Sequence, residues 1–471
     1  MTGRGKPAPA PRSPSTSYSR SGATVPAGRK ELAARRYLLV GNGPAGWAAA
    51  EAIRQRDPQG QITILSHEGT AFYSRPGLAY LLNGTIPEKQ LVARTDEDYR
   101  RLNVQRRAAR VVAIDPAQRR LRLHDGQSLP YDKLLLATGA QALRPQVEGI
   151  DLPGVVTLDT LADARQILRL ARKGRRGVVV GGGITALELA EGLASRGVRT
   201  LYLLRKDRYW GNVLDEQESA LVEAQLEYEG IQLHRHTELV RVVGRRGRVA
   251  AVETSTGEIR ADLLAVAIGI APRTELAREC GAKVGRGILV DSFMQTTLPG
   301  VFAAGDVAEV YDPSSGKTVL DSLWWLALGQ GRCAGLNMAG AGVAYQRPPA
   351  FNVTRIGGIT TTILGAVGQG RIDEDLLAIA RGDSEGWRVQ PDALAVETGE
   401  AHSRTRLLLG PQSILGAVVM GDQTLSRPLQ HLINRQADIR PVRQRLLAEP
   451  AALGSTVLSF WKEWSAQARV A

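Results

Sequence analysis

Two glycine-rich turns carry the clearest chemical signal in this chain. The first reads Gly41-Asn42-Gly43-Pro44-Ala45-Gly46, and the second reads Gly181-Gly182-Gly183-Ile184-Thr185-Ala186. In such a turn the first glycine permits a tight bend, and the second lets the backbone approach a pyrophosphate. The third lets helix and strand pack closely, while the N-terminus of the helix faces the anion. Each turn therefore predicts a dinucleotide-binding site. In the second turn Ala186 takes the place of the third glycine.

The position that reads the adenosine ribose differs between the two sites. Glu68 lies about twenty residues after the first turn, where an acid accepts hydrogen bonds from ribose hydroxyls. The alternative is an ordinary loop acid, because His67 lies one step nearer the strand. After the second turn the same place holds Arg205, followed by Lys206. Arginine can pair with the 2′-phosphate of NADPH, which favours NADPH, although solvated loop cations would leave NADH equally acceptable.

The elements around each turn repeat the order strand, turn, helix, strand, and a further apolar strand follows each repeat. Two βαβ units predict an α/β protein with two doubly wound, Rossmann-like dinucleotide-binding domains. Residues from about 346 onward are β-branched and glycine-rich at Ile356–Ile363 and Ser413–Met420 and end in an amphipathic helix, which predicts a C-terminal α+β domain. The predicted segments are strands Leu38–Val40, Gln61–Leu65, Lys133–Ala137, Gly177–Val180, Val198–Leu204 and Leu263–Gly269, and helices Trp47–Arg56 and Leu187–Arg196.

Composition excludes several classes of protein. The chain has 471 residues, a net charge of +13 and two cysteines, and no apolar run is long enough to form a transmembrane segment. Residues 1–30 carry six of the positive charges without an acid, which leaves +7 for the remainder; this Pro-, Ser- and Gly-rich tail is expected to be disordered. We favour a solvated basic surface that attracts dinucleotide phosphates or an acidic protein partner over nucleic-acid binding, because no basic–aromatic interleaving or groove-binding motif occurs. The cysteines lack metal-ligand spacing, and a cytoplasmic protein with reduced thiols and no metal site is expected.

Several short motifs stand between and after the turns in a characteristic order. They are Phe72-Tyr73-Ser74-Arg75-Pro76, Ala137-Thr138-Gly139, Ala267-Ile268-Gly269, Val301-Phe302-Ala303-Ala304-Gly305-Asp306, and the stretch containing Trp324, Ala327, Gln330 and Gly331. With these motifs the chain after residue 35 resembles the pyridine nucleotide–disulfide oxidoreductase superfamily. Within it, the likeness is to ferredoxin and rubredoxin reductases and to the flavin portion of the nitrite reductase large subunit.

The resemblance implies a role for each motif. Binding of FAD is implied for Gly41, Gly43, Pro44, Ala45, Gly46, Glu68, Arg75, Pro76, Thr138, Gly139, Gly305 and Asp306, and binding of the nicotinamide dinucleotide for Gly181, Gly183, Ala186, Arg205, Lys206 and Gly269. Trp324 either flanks the isoalloxazine ring or is an ordinary core tryptophan. Glu188 occupies the place of an acid near the nicotinamide, and it is the single candidate catalytic residue.

The resemblance also implies a domain order and a reaction. It assigns 1–30 to the tail, 31–151 and 286–345 to the FAD domain, 152–285 to the NAD(P) domain and 346–471 to the C-terminal domain. The family's redox-active cysteines have no counterpart between Phe72 and Gly84. An FAD-dependent NAD(P)H oxidoreductase is therefore expected to pass hydride to flavin and electrons directly to a small acidic redox protein. The alternatives are a quinone, nitrogen oxide or dioxygen as acceptor, or a non-enzymatic flavin redox sensor. A homodimer is possible.

Overall fold

The computed structural model describes residues 34–368, 379–388, 393–400 and 403–467. The tail predicted to be disordered lies outside these residues. The apolar run before the first glycine turn forms a buried central strand, and the elements that follow it contribute to several sheets. In chain order these are β1 (Arg36–Val40), α1 (Pro44–Arg56), β2 (Gln61–Ser66), α2 (Gly77–Leu82), α3 (Asp96–Arg101), β3 (Val104–Ala108), β4 (Val111–Asp115), β5 (Arg120–Leu123), β6 (Ser128–Pro130), β7 (Lys133–Leu136), β8 (Ala140–Ala142) and β9 (Val155–Val156).

The same order restarts with the second turn. The elements are α4 (Leu161–Leu170), β10 (Arg176–Val180), α5 (Ile184–Ser195), β11 (Arg199–Leu203), α6 (Glu216–Tyr228), β12 (Gln232–His234), β13 (Leu239–Arg245), β14 (Arg248–Thr254), β15 (Gly257–Arg260), β16 (Leu263–Val266), β17 (Ile270–Pro272) and α7 (Glu275–Glu279). The remaining elements are β18 (Ile288–Leu289), β19 (Val301–Ala303), β20 (Ala308–Asp312), β21 (Lys317–Val319), α8 (Trp324–Met338), β22 (Phe351–Ile356), β23 (Ile359–Gly365), β24 (Leu394–Glu400), β25 (Ser403–Leu409), β26 (Ile414–Met420), α9 (Ser426–Asn434), α10 (Arg440–Ala448) and α11 (Leu453–Gln467).

Two five-stranded parallel sheets organise the molecule as a mixed α/β fold. The first has the order β19-β7-β1-β2-β3 and the second the order β12-β11-β10-β16-β9. In both, the strand that leads into a glycine turn lies in the middle. Ligands of parallel α/β sheets bind at the carboxyl ends of such strands, so this topology puts both turns at binding positions.

The two helices after the turns begin earlier than the sequence pattern predicts. α1 begins at Pro44 rather than Trp47, and α5 begins at Ile184 rather than Leu187. Gly43 and Gly183 are the extended N-cap residues, so the last three residues of each turn already belong to the helix. Proline suits the first helical position because its fixed φ is helical and its missing N–H would have no partner there.

The region after residue 346 forms an antiparallel sheet in the order β22-β23-β26-β25-β24, with helices α9 and α11 in contact with each other. The stretch Ile356–Ile363 is divided between two strands by a turn at Gly357 and Gly358, which both have positive φ. α11 ends the described chain as expected. Its Phe460 is buried and Trp461 and Trp464 pack against the same apolar cluster, so these aromatic side chains dock on the protein's own body.

Candidate functional site

The three glycines of the first turn differ in what surrounds them. Gly41 has a φ of +123°, and a β-carbon there would overlap the carbonyl of Ala137; a β-carbon on Gly46 would overlap the carbonyl of Gly41. Nothing lies within 4 Å of the equivalent position on Gly43. Two glycines therefore permit close packing of the protein itself, while the third leaves bare backbone facing open space. That arrangement fits a pyrophosphate at the N-terminus of α1.

A cavity of about 800 Å³ opens in front of this turn. It brings together most of the residues expected at the flavin site, although they come from distant parts of the sequence. Those on its wall are Gly41, Gly43, Pro44, Ala45, Glu68, Arg75, Pro76, Thr138, Gly139, Glu188, Gly305, Asp306 and Trp324. Its volume lies within the range of sites that bury large ligands, roughly 300–1,000 Å³. Gly46 is not on the wall; its lack of a side chain permits close packing against Gly41.

Glu68 is held by its own neighbours at the edge of this cavity. One carboxylate oxygen accepts a hydrogen bond from the Tyr73 hydroxyl at 2.7 Å, and the other pairs with the Arg75 guanidinium at 2.5 Å. A carboxylate oxygen can accept more than one hydrogen bond. Both contacts therefore fix the orientation of the acid and leave acceptor capacity for a ribose, so the ribose role stays a prediction.

Asp306 also lies on the wall of this cavity. Its carboxylate accepts a hydrogen bond from the Ser322 hydroxyl at 3.0 Å, and the Gly305 amide donates to the Gln330 side chain at 2.7 Å. Burial raises the pKa of Asp306, while Arg381, Ser322 and Arg75 oppose the rise. Gln330, one of the residues of the α8 motif, thus holds the backbone that presents the aspartate.

The glycine after Gln330 has a packing role. A β-carbon on Gly331 would overlap the backbone of Ala45, and one on Gly335 would overlap the backbone of Ala49. α8 therefore lies directly against α1, which brings its N-terminus to the cavity. There Trp324 is half-buried and stacks on Phe72, with ring centroids 5.2 Å apart and planes 15° apart. Trp324 has both a cavity face and a core face, which accommodates either role predicted for it.

Glu188 faces the cavity from the first turns of α5. Burial raises its pKa to about 8, Glu191 adds to the rise by repulsion, and Arg381 counteracts it. Glu191 lies one helical turn further along, and burial together with Glu229 raises its pKa to about 7. Glu188 is therefore largely protonated at neutral pH, and it presents an uncharged carboxyl to the cavity.

The second turn is packed like the first, but its Gly183 is buried whereas Gly182 is exposed. A β-carbon on Gly181, whose φ is +147°, would overlap the carbonyl of Ala267 and lie 2.9 Å from the Ala186 β-carbon. On Gly183 it would lie 2.9 Å from the β-carbon of Ala380. A small cavity of about 10 Å³ lies at Gly183, with Gly269 and Thr185 on its wall, while Ile184 and Thr185 also border the large cavity.

The predicted ribose-reading cations lie apart from both cavities. Arg205 and Lys206 are exposed directly after β11, and neither forms part of the wall of the two cavities in the described chain. The exposed position leaves Arg205 able to reach a phosphate, and its role remains a prediction.

Sequence reasoning missed a charged cluster that joins the two sheets. Asp159 pairs with Arg273 at 2.6 Å and with Arg381, and Arg75 donates to its backbone carbonyl. Arg273 also donates to the carbonyl of Ala140 at 2.5 Å. These residues approach one another only through the tertiary fold, and no local motif marks them.

The thiols lack the environment that activates cysteine. Cys333 is buried, and burial raises its pKa to about 11; burial also raises the pKa of the half-buried Cys280. Thiolate chemistry requires the opposite shift. Within the described ranges no three His, Cys, Asp or Glu side chains are grouped to hold a metal ion, and no helix is long and apolar enough to cross a membrane.

Comparison with known proteins identifies the family of this chain. Residues 35–330 match the model of the family described as pyridine nucleotide-disulphide oxidoreductase. The chain is 33% identical over 347 residues to a rubredoxin-NAD(+) reductase of Pseudomonas putida, covering 73% of this chain and 89% of that protein. It is 32% identical over 335 residues to an NADH oxidase of Methanocaldococcus jannaschii, covering 68% of this chain and 74% of that protein.

Among solved structures, the fold is similar to that in the covalent putidaredoxin reductase–putidaredoxin complex. The TM-score is 0.79 at 23% identity, and the match covers 90% of this chain and 98% of the other.

Proposed function

Because this chain belongs to the pyridine nucleotide-disulphide oxidoreductase family, we propose that it is an FAD-dependent NAD(P)H oxidoreductase whose electrons leave to a small redox protein. The cavity in front of the first turn carries the proposal. It unites the bare backbone of Gly43, the carboxylate of Asp306 and the carboxyl of Glu188 on one wall. The raised thiol pKa values of Cys280 and Cys333 support electron release without a disulfide.

In this proposal the chain's own residues bind and orient. The N-terminus of α1 and the Gly43 backbone bind the pyrophosphate, and Ser322 holds Asp306 toward the ribityl region. Trp324, supported by its stack on Phe72, limits the space beside the ring. When bound, the flavin supplies the hydride acceptance and electron release that no side chain can provide.

Glu188 acts as a neutral group at physiological pH. Its pKa of about 8 keeps a proton on the carboxyl that faces the cavity. A neutral carboxyl can donate a hydrogen bond where a carboxylate could only accept one. It thereby avoids the desolvation cost of a charge between two bound dinucleotides.

The domain assignment follows the sheets. We assign 31–151 and 286–345 to one flavin domain, since β19 pairs with β7 in the first sheet. Residues 152–285 then form the nicotinamide domain and 346–471 the C-terminal domain, which contributes Asn352 and Arg381 to the cavity wall.

The nicotinamide preference is a finer point of the proposal. Arg205 supports NADPH, but the names of the relatives, an NADH oxidase and a rubredoxin-NAD(+) reductase, give no support to that preference. For the acceptor, the positive charge outside the tail would steer an acidic redox protein toward the molecule. A small acceptor such as dioxygen is the second candidate, and the likeness to an NADH oxidase favours it.

Anaerobic reduction followed by a choice of acceptors tests the proposal. The flavin-loaded protein is mixed with NADH or NADPH, and the flavin absorbance is followed before oxidised ferredoxin, oxidised rubredoxin or air is admitted. We expect rapid bleaching, rapid recovery with one of the proteins and slow recovery in air. An absence of bleaching with both nicotinamides refutes the enzyme proposal, and prompt recovery in air with peroxide or water as product selects the oxidase.

A further inference from the structure

The two glycine turns differ in what lies above their middle residue. Gly43 faces open space, whereas Gly183 faces Ala380, and a β-carbon on Gly183 would lie 2.9 Å from that methyl group. Ala380 belongs to a short segment, Ile379–Gly382, that approaches from the C-terminal part of the chain. We call this segment the strap.

The strap is held down at several points. The Ile270 amide donates to the Ile379 carbonyl at 2.9 Å, and the Gly382 amide donates to the Ser322 carbonyl at 3.1 Å. The Asn352 side chain donates to the Gly382 carbonyl at 3.1 Å. Ile379 is buried against Ala140, Ile270 and Leu320. The strap therefore packs against β8 and β17, and several hydrogen bonds fix its position.

Arg381 acts as a latch. Its guanidinium pairs with the Asp159 carboxylate, which Arg273 pairs with from another direction at 2.6 Å. Its Nε is buried without a hydrogen-bond partner in the described part of the chain. Its side chain also borders both the large cavity and the small space at the second turn. The latch thus stands between the two dinucleotide sites.

This placement conflicts with binding at the second turn. A pyrophosphate needs the amides at the N-terminus of α5, which begins at Ile184, and it must approach closest at Gly183. Ala380 occupies the approach at Gly183, where a cavity of about 10 Å³ is left, which is at most the space of one water molecule. Ile184 and Thr185 also border the large cavity, so the conflict lies at Gly183: a pyrophosphate in contact with this glycine and the strap cannot occupy the same space.

We propose that the strap closes the nicotinamide crevice, with Arg381 latched on Asp159, and that the pyridine nucleotide must displace it to bind. This inference rests on the proposed function, because it assigns the nicotinamide dinucleotide to the second turn. The apparent affinity for the nucleotide is then the affinity of the open form multiplied by the fraction of molecules in which the strap is open. A weaker latch raises that affinity, and a locked strap abolishes binding.

A reversible cross-link tests the requirement for movement. Ile270 and Ile379 face each other in an antiparallel bridge, where Cα atoms lie within about 5.5 Å of each other and a disulfide can form. The variant Ile270→Cys/Ile379→Cys is made in a Cys280→Ser/Cys333→Ser background, with the two single variants as controls. Cross-linking is verified by mass spectrometry, and NAD⁺ and NADP⁺ binding to the flavin-loaded protein is measured by calorimetry.

We expect the oxidised double variant to bind neither nucleotide, with affinity falling at least 100-fold and returning after reduction. Dithionite should still bleach its flavin, which shows that the first site is intact. Equal nucleotide affinity before and after verified cross-linking overturns the proposal. Because nucleotide binding is measured directly, failure of the wild type to reduce its flavin would refute the proposed function while the strap is still tested.

The latch is tested separately with Arg381→Gln. Asp159 keeps its pair with Arg273 in this variant, so no charge is left without a partner. We expect the dissociation constant for the nucleotide to fall several-fold, with Arg165→Gln, which breaks an exposed pair with Glu88, as the matched control. An unchanged or higher dissociation constant overturns the latch and shows that Arg381 does not hold the crevice closed.

Discussion

Replacing Glu188 by glutamine should change the pH dependence of stability in a defined direction. The folded protein raises the pKa of this carboxyl from 4.5 to about 8. Between these values the folded state binds a proton that the unfolded state has released, so the stability of the wild type falls as the pH rises through this window. Above about pH 8 the folded state carries the buried charge and the full penalty applies.

The size of the effect follows from the shift. One pKa unit corresponds to about 1.4 kcal/mol, so the raised pKa gives about 5 kcal/mol as an upper limit across the window. The interval from pH 6 to about pH 8 covers roughly two of these pKa units. We therefore expect the stability advantage of the Glu188→Gln variant over the wild type to grow by about 2–3 kcal/mol between pH 6 and pH 9.

Urea denaturation of the flavin-loaded proteins at pH 6, 7.5 and 9 measures this difference. At pH 6 both folded proteins carry a neutral group, but the unfolded wild type has already released its proton, so the wild type should be less stable than the variant by about 2 kcal/mol, and the difference should grow up to about pH 8. The control is Glu463→Gln, since Glu463 is exposed on α11; its difference from the wild type should not depend on pH. A Glu188→Gln difference that is equal at pH 6 and pH 9 would refute the reasoning.

Three further changes test other parts of the site. Gly43→Ala should leave the fold intact, because the space around Gly43 is open, but it should weaken FAD binding at least tenfold in apoprotein titrations. The control Gly329→Ala, on the exposed face of α8, should not change FAD affinity. Equal FAD affinities of the two variants would show that the pyrophosphate does not bind at Gly43. Gln330→Leu deprives the buried Gly305 amide of its acceptor and should lower the free energy of unfolding in urea by about 1–3 kcal/mol. A decrease smaller than the fitting error would contradict this expectation. Arg205→Glu should lower the ratio of kcat/KM for NADPH to that for NADH about tenfold or more, and an unchanged ratio in steady-state assays would mean that Arg205 does not read the 2′-phosphate.

Local patterns predicted the elements that hold the site. The apolar runs before Gly41 and Gly181 do form the central strands, because a strand buried on both faces must be continuously apolar. The helix starts differ from the prediction by three residues, since the last three residues of each glycine motif were assigned to the turn, whereas the backbone is already helical at Pro44 and Ile184. Element type was therefore more predictable than element boundaries.

The parts that the sequence could not reveal are tertiary. Arg381 lies almost two hundred positions after the turn that its segment covers, and it carries no periodic or motif context. In the sequence Asp159 resembles any acid before a helix, and only the structure shows that it pairs with Arg273 and Arg381. Such contacts depend on how distant segments approach one another, which neither propensity nor spacing encodes.

The direct contact of α8 with α1 has a consequence for synthesis of the protein. The first sheet lacks its edge strand β19, and α1 lacks its partner helix, until the whole second sheet has been made. The second sheet, built from one continuous stretch, can mature as it emerges from the ribosome. The flavin-binding sheet must wait with apolar edges uncovered, so its completion involves closure of a very long loop and is slow. A chain stalled before Trp324 would consequently expose the face of α1 against which Gly331 and Gly335 of α8 pack in the finished protein.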